Sequence, residues 1–142
     1  MTAKEYLSQA FWLDRKIDSK LQQVLALREL AEKTTSVMTE DVVSHTRNVC
    51  SVQDVIAKIV DLESEMNRDI DRLIDLKRDI GNAISKVDSP NEQIILEYRY
   101  LDRQSWHDIA EKIGLHPRTV FRLHEQGLRK IEKNLRKSES CQ

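Results

Sequence analysis

Glycine, proline, cysteine and aromatic residues are all scarce in this chain of 142 residues: three Gly, two Pro, two Cys and 5% aromatics. So little turn chemistry, set beside 33% charged residues, argues against a β-sandwich or a doubly wound sheet. The two cysteines, Cys50 and Cys141, stand far apart in no metal-like spacing, which reads as free thiols in a reducing cytoplasm. No apolar run approaches the ~18 residues of a membrane span. The opening Met1-Thr2-Ala3-Lys4-Glu5 lacks the basic-then-apolar order of a signal peptide. Neither sign of charge dominates, the net being −1. What remains is a composition for helices with wide solvated faces.

Charge is unevenly placed. Residues 1–89 carry 13 Lys and Arg against 16 Asp and Glu, whereas residues 90–142 carry 10 against 8. Arg118, Arg122, Arg129, Lys130, Lys133, Arg136 and Lys137 concentrate positive charge near the end of the chain. Four hydroxyl–carboxylate pairs at capping-box spacing (Thr2/Glu5, Ser51/Asp54, Ser89/Glu92, Ser105/Asp108) mark helix starts. Pro90 suits a first helical position.

Leu7, Ala10, Phe11, Ile17, Leu21, Val24, Leu27 or Leu25, and Ala31 recur at three- and four-residue steps, predicting a first helix from about Ala3 to Glu32. Residues 34–50 read as a loop with one short helical turn. From Ser51 a second stripe (Val52, Val55 or Ile56, Ile59, Leu62, Met66, Ile70, Leu73, Leu76, Ile80, Ala83 or Ile84, Val87) predicts a helix of about 50 Å at 1.5 Å per residue. Gly81-Asn82 is a weak point at which it can kink or end. Neither stripe can be buried alone, so the pair is expected to form a long antiparallel coiled-coil hairpin, residues 1–87, that dimerises or binds a partner. Asp88-Ser89-Pro90 is the junction to a second domain, residues 88–142, with helices at about Pro90–Leu101, Ser105–Ile113 and Pro117–Arg136.

The stretch Trp106-His107-Asp108-Ile109-Ala110-Glu111-Lys112-Ile113-Gly114-Leu115-His116-Pro117-Arg118-Thr119-Val120-Phe121-Arg122-Leu123 has helix-turn-helix spacing. Ile109 and Ile113 face inward, Ala110 admits a crossing helix, Gly114 sits where φ is positive, and Leu115 plugs the corner. On the last helix Val120, Leu123, Leu128 and Ile131 point inward. Arg118, Phe121, Arg122 and Glu125 share the opposite face at its N-terminal end. Arginine there can fork onto guanine O6 and N7, and Phe121 can cover a thymine methyl. Glu125 can accept from cytosine N4, although a helical pair with Arg122 or Arg129 is the plainer role. Arg103, Gln104, Ser105, Thr119 and Arg129 are the candidates for phosphate positioning. Gly127, inside the last helix, predicts close approach to the helix beginning at Pro90, near Tyr98 or Leu101.

Ile94-Ile95-Leu96-Glu97-Tyr98-Arg99-Tyr100-Leu101, followed by Ser105 to Ala110, Gly114-Leu115 and Thr119-Val120, resembles region 4 of bacterial sigma-70-type factors over roughly residues 88–136. The resemblance implies an all-α fold, double-stranded DNA as ligand and RNA polymerase as a second partner. Two departures stand out: His116 sits where the family usually has Ser or Thr, and Gly127 replaces a small Ala. The whole chain is similar to small phage and prophage transcription regulators, including the ArpU type. A ring-forming packaging adaptor of the small-terminase kind, and a polymerase-binding module that never touches DNA, are the alternatives.

No catalytic constellation emerges. His107, His116 and His124 lack a completing ligand set and read as exposed polar residues, so no metal or cofactor is expected. The carboxylates of the second helix alternate with Arg68, Arg72, Lys77 and Arg78 as a solvated surface. Trp12 and Trp106 read as core or interface residues. The expectation is a cytoplasmic, non-enzymatic, homodimeric regulator with no membrane contact.

Overall fold

The computed structural model describes residues 1–38 and 45–140, and side chains within 1–33 and 52–140. The described elements are all helical: α1 (Ala3–Met38), α2 (His45–Ser85), α3 (Pro90–Leu96), a π-helical turn (Glu97–Leu101), α4 (Trp106–Ile113) and α5 (Pro117–Ser140). Among the described residues no helix is long and apolar enough to cross a membrane. α1 opens on the expected reciprocal box, Thr2 N–H donating to Glu5 Oε2 at 3.0 Å and Glu5 N–H to Thr2 Oγ1 at 3.2 Å. Both long helices outrun their sequence-based limits. α1 continues to Met38, and α2 already runs through Ser51, so Ser51/Asp54 lies inside a helix and not at its start. α2 also passes Gly81-Asn82 without ending. The expectations for residues 39–44 and for the thiols of Cys50 and Cys141 fall outside the described residues.

The chain divides into two compact units, Asp14–Arg72, and Met1–Leu13 together with Leu73–Gln142. Within Asp14–Arg72, α1 and α2 run antiparallel. Lys20 Nζ reaches Asp69 at 2.6 Å and Glu65 at 3.3 Å, while Arg28, further along α1, pairs with Glu63, earlier on α2. Asp69 is only 5% exposed, and its hydrogen bond from Lys20 holds the carboxyl below the ordinary carboxylate range. Leu21 and Ile70, expected inside, are exposed instead. Lys20 and Asp69 take those two inner positions, at three- and four-residue steps from Ile17 and Val24 on α1 and from Met66 and Leu73 on α2, which keep the expected stripe. Val24 is buried, whereas Leu25, Ile56 and Val60 are exposed like Leu21 and Ile70.

In the other unit, Ile95, Ile109, Ala110 and Val120 form a core against which Tyr98, Trp106, Ile113, Leu115 and Leu123 pack. Leu7, Ala10, Ile80, Ile84, Leu96 and Ile131 are also buried there. α3 and α5 approach closely because residue 127 has no side chain. A Cβ on Gly127 would lie 2.9 Å from Leu96 Cδ1 and 3.6 Å from Glu92 Cβ. The close approach expected of Gly127 is therefore present, but against Leu96 and Glu92, not Tyr98 or Leu101.

The Ser89/Glu92 box does not form. Ser89 precedes α3 with extended backbone and no side-chain cap, and Glu92 is 3% exposed. Its carboxylate meets Lys130 of α5 at 2.7 Å, and the same Nζ lies 2.7 Å from Asp88 Oδ1. A cation across the interface competes better for this carboxylate than a backbone N–H at a solvated helix start. Removing the cation strands a buried charge. Lys130→Met is accordingly expected to lower the melting temperature followed by circular dichroism, and adding Glu92→Gln to recover most of the loss. A Lys130→Met protein melting with the parent would show that the carboxylate needs no cation.

Candidate nucleic-acid interface

The segment from Glu97 to Arg122 builds its geometry from local rules. The π-helical turn ends where Asp102 N–H donates to Glu97 O at 3.1 Å and Gln104 N–H to Tyr98 O at 2.9 Å. Arg103 takes φ 56° to make that exit, a left-handed conformation unusual for a residue with a side chain. Ser105 caps α4 by accepting from Asp108 N–H at 3.2 Å. α4 stops at Gly114, whose φ of 75° is the left-handed C-terminal cap that Gly adopts without steric cost. The N–H groups of Gly114 and Leu115 both donate to Ala110 O, at 2.9 and 3.2 Å, and close the corner. His116 then caps α5, its Nδ1 accepting from Arg118 N–H at 3.1 Å. Imidazole thus does the work of the expected Ser or Thr, with Pro117 supplying a fixed φ at the first position.

Arg118 and Arg122 are exposed at the start of α5, as is Glu125 one turn on. Glu125 makes no ion pair with Arg122 or Arg129; its carboxylate lies 3.7 Å from His124 Nδ1. Phe121 is 48% exposed and rests on Trp106, ring centroids 4.6 Å apart and planes tilted by 35°. Of the phosphate candidates, Ser105 and Arg129 are exposed, Thr119 and Gln104 half-buried. Gln104 O accepts from Arg99 Nη1 at 3.0 Å, while its Oε1 is buried without a hydrogen-bond partner. The guanidinium of Arg103 lies 5.3 Å from the centre of the Phe11 ring. Arg103, Phe121 and Glu125 are brought to one cavity, described below. Arg129 lines a separate groove with Lys133, Arg136 and Lys137 along the second half of α5.

His124 departs from the sequence reading. It is not an exposed polar residue but 2% exposed, between Val120 and Gly127 on the inner face of α5. Its Nε2 is 2.7 Å from the Tyr100 hydroxyl, and the two rings stack at 5.7 Å. Burial pushes its pKa down to about 4, with Lys4 and Arg99 adding to the effect and Glu125 opposing it. Burial likewise raises Tyr100 to about 12. The signal was present in the spacing: Val120, His124, Gly127 and Ile131 follow four-, three- and four-residue steps, the repeat of an inner stripe. Among the described residues no cluster of His, Cys, Asp and Glu has the geometry to hold a metal ion.

No curated protein and no solved structure matches the chain. A family model described as a protein of unknown function (DUF1492) matches residues 32–132, which takes in all of α2, α3 and α4, and two thirds of α5. That match spans well over half of the chain, which therefore belongs to the DUF1492 family.

Proposed function

We propose that this protein is a sequence-specific DNA-binding transcription regulator in which α4 and α5 form a helix-turn-helix of the sigma region 4 type and α5 enters the major groove. The observation that carries the reading is the corner at Gly114. It joins a short helix capped by Ser105 to a long one whose first two turns leave Arg118 and Arg122 exposed. Arg118 and Arg122 read base edges, the open half of Phe121 covers a thymine methyl, and Glu125 faces the same groove. Ser105, Thr119, Gln104, Arg103 and Arg129 position phosphates. α1 and α2 act as a coiled-coil hairpin that pairs two copies, an assignment supported by exposed Leu21, Leu25, Ile56, Val60 and Ile70. RNA polymerase is the second partner, and the phage-regulator resemblance sets the biological context.

The test is selection from randomised duplex DNA followed by anisotropy titration of the enriched site. Arg122→Ala is expected to weaken binding by about 1–3 kcal/mol, roughly five- to 150-fold, and to relax one base position. Arg129→Ala is expected to weaken all sequences alike and to flatten the salt dependence by about one phosphate's worth of slope. No enriched motif, or an Arg122→Ala protein binding like the parent, would end this reading.

A further inference from the structure

A cavity of about 270 Å³ opens beside α5, and its walls come from three helices and the π-helical turn. Phe11 and Trp12 of α1 face it, as do Trp106 of α4 and Phe121 of α5. Both tryptophans of the chain are therefore at one place, and Trp12 is 64% exposed. Flat aromatic walls gain most from a flat aromatic occupant, which buries large area on each face and stacks on or against the rings.

Charge selects the occupant further. Lys4, Arg99 and Arg103 line the cavity against the single carboxylate of Glu125. Arg99 sits 4.6 Å from the Trp106 ring centre and Arg103 5.3 Å from that of Phe11, so each guanidinium stands next to an aromatic wall. Arg103 is held there by a left-handed backbone, the kind of local strain that folds retain at ligand-binding positions. His124, also in the wall, has a buried Nδ1 without a hydrogen-bond partner, and a buried polar atom of that kind calls for an explanation. The volume suits a bicyclic ring with one acidic group, near the lower end of small-molecule pockets.

We infer that this cavity is a binding site for a small planar aromatic anion, with the ring against Trp12, Trp106 and Phe121 and the acid toward Arg103 and Lys4. Two sources share that chemistry, an aromatic carboxylate and a nucleoside monophosphate. Neither requires the DNA-binding reading.

The test is calorimetric titration of the full chain, without DNA, by 2-naphthoate, its neutral isostere 2-naphthamide, cyclohexanecarboxylate and uridine 5′-monophosphate. Saturable binding of 2-naphthoate or of the nucleotide is expected, and the tighter of the two identifies the source. The neutral amide and the non-aromatic acid are each expected to bind about tenfold or more weakly, through loss of the charge-assisted contact and of stacking respectively. Trp12→Ala and Arg103→Gly are each expected to weaken binding about tenfold while melting at or above the parent temperature, since Trp12 is exposed and Gly relieves the strain at 103. No saturable binding by any of the four overturns the proposal. So does equal affinity for the acid and its amide, or a Trp12→Ala protein that binds like the parent. Because DNA is absent from every arm, such a failure leaves the helix-turn-helix reading standing.

Discussion

Gly127→Val is expected to lower the melting temperature by roughly 5–10 °C, from an overpacking cost of about 2–3 kcal/mol. The reason is local. A Cβ at 127 already falls 2.9 Å from Leu96 Cδ1, and Leu96 is wholly buried, so the end of its side chain can yield only slightly. Valine adds two further carbons to that contact, and Glu92 Cβ closes the other side at 3.6 Å. Gly127→Ala tests the sign more finely. The helix gains about 1 kcal/mol of propensity when Gly becomes Ala, which offsets a shift of a few tenths of an ångström at Leu96. A near-neutral alanine variant beside a strongly destabilised valine one is the expected pattern in thermal melts. Adding Leu96→Ala to Gly127→Val should then cost less than the two single changes together, because the smaller side chain makes room. A valine variant as stable as the parent would mean that α3 and α5 do not meet there.

The second large effect is a loss of stability in acid carried by His124. Its folded pKa of about 4 lies below the ordinary value of 6.5 that the unfolded chain retains. Between those values the unfolded state takes up a proton that the folded state refuses. Stability from this residue is therefore fully present above about pH 6.5 and falls as the pH drops toward 4, by up to about 3 kcal/mol. Tyr100 faces Nε2, Glu125 approaches Nδ1, and Lys4 and Arg99 oppose a positive ring. Denaturant melts of the parent and of His124→Gln at pH 7, 5.5 and 4 isolate the contribution. The parent should lose about 3 kcal/mol more than the variant across that range, whatever the variant's stability at neutral pH. Parallel pH profiles would mean that the imidazole protonates in place.

How much of this was legible beforehand depends on whether the deciding contact was local. The corner at Gly114 was, because a positive φ, a small Ala110 and a hydrophobic plug are requirements written within a few residues. The inner positions Ile109, Val120 and Ile131 follow from helical period alone. Lys20 and Asp69 were not legible, because an apolar residue follows each of them and hydrophobicity favours Leu21 and Ile70. What keeps these two polar residues inside is their ion pair between the two helices, 49 residues apart in sequence. Glu92 shows the same limit, its capping spacing being overruled by a cation 38 positions away on α5. His116 is the opposite case: it sits where the resembled family usually has Ser or Thr, and its ring nitrogen accepts the N–H that a hydroxyl would have taken. The cavity lay beyond sequence reading altogether, since nothing in the period of α1 says that Phe11 and Trp12 share a wall with Trp106 and Phe121.

The placement of the two tryptophans has an optical consequence. Residues Asp14 to Arg72 contain no indole, so that half of the molecule is silent in intrinsic emission excited at the red edge of tryptophan absorption. Fluorescence followed against denaturant reports on the unit bearing α4 and α5 alone, while the far-ultraviolet helical signal averages over both. Overlaying the two curves thus separates the melting of one body from that of the other without a label or a truncated chain.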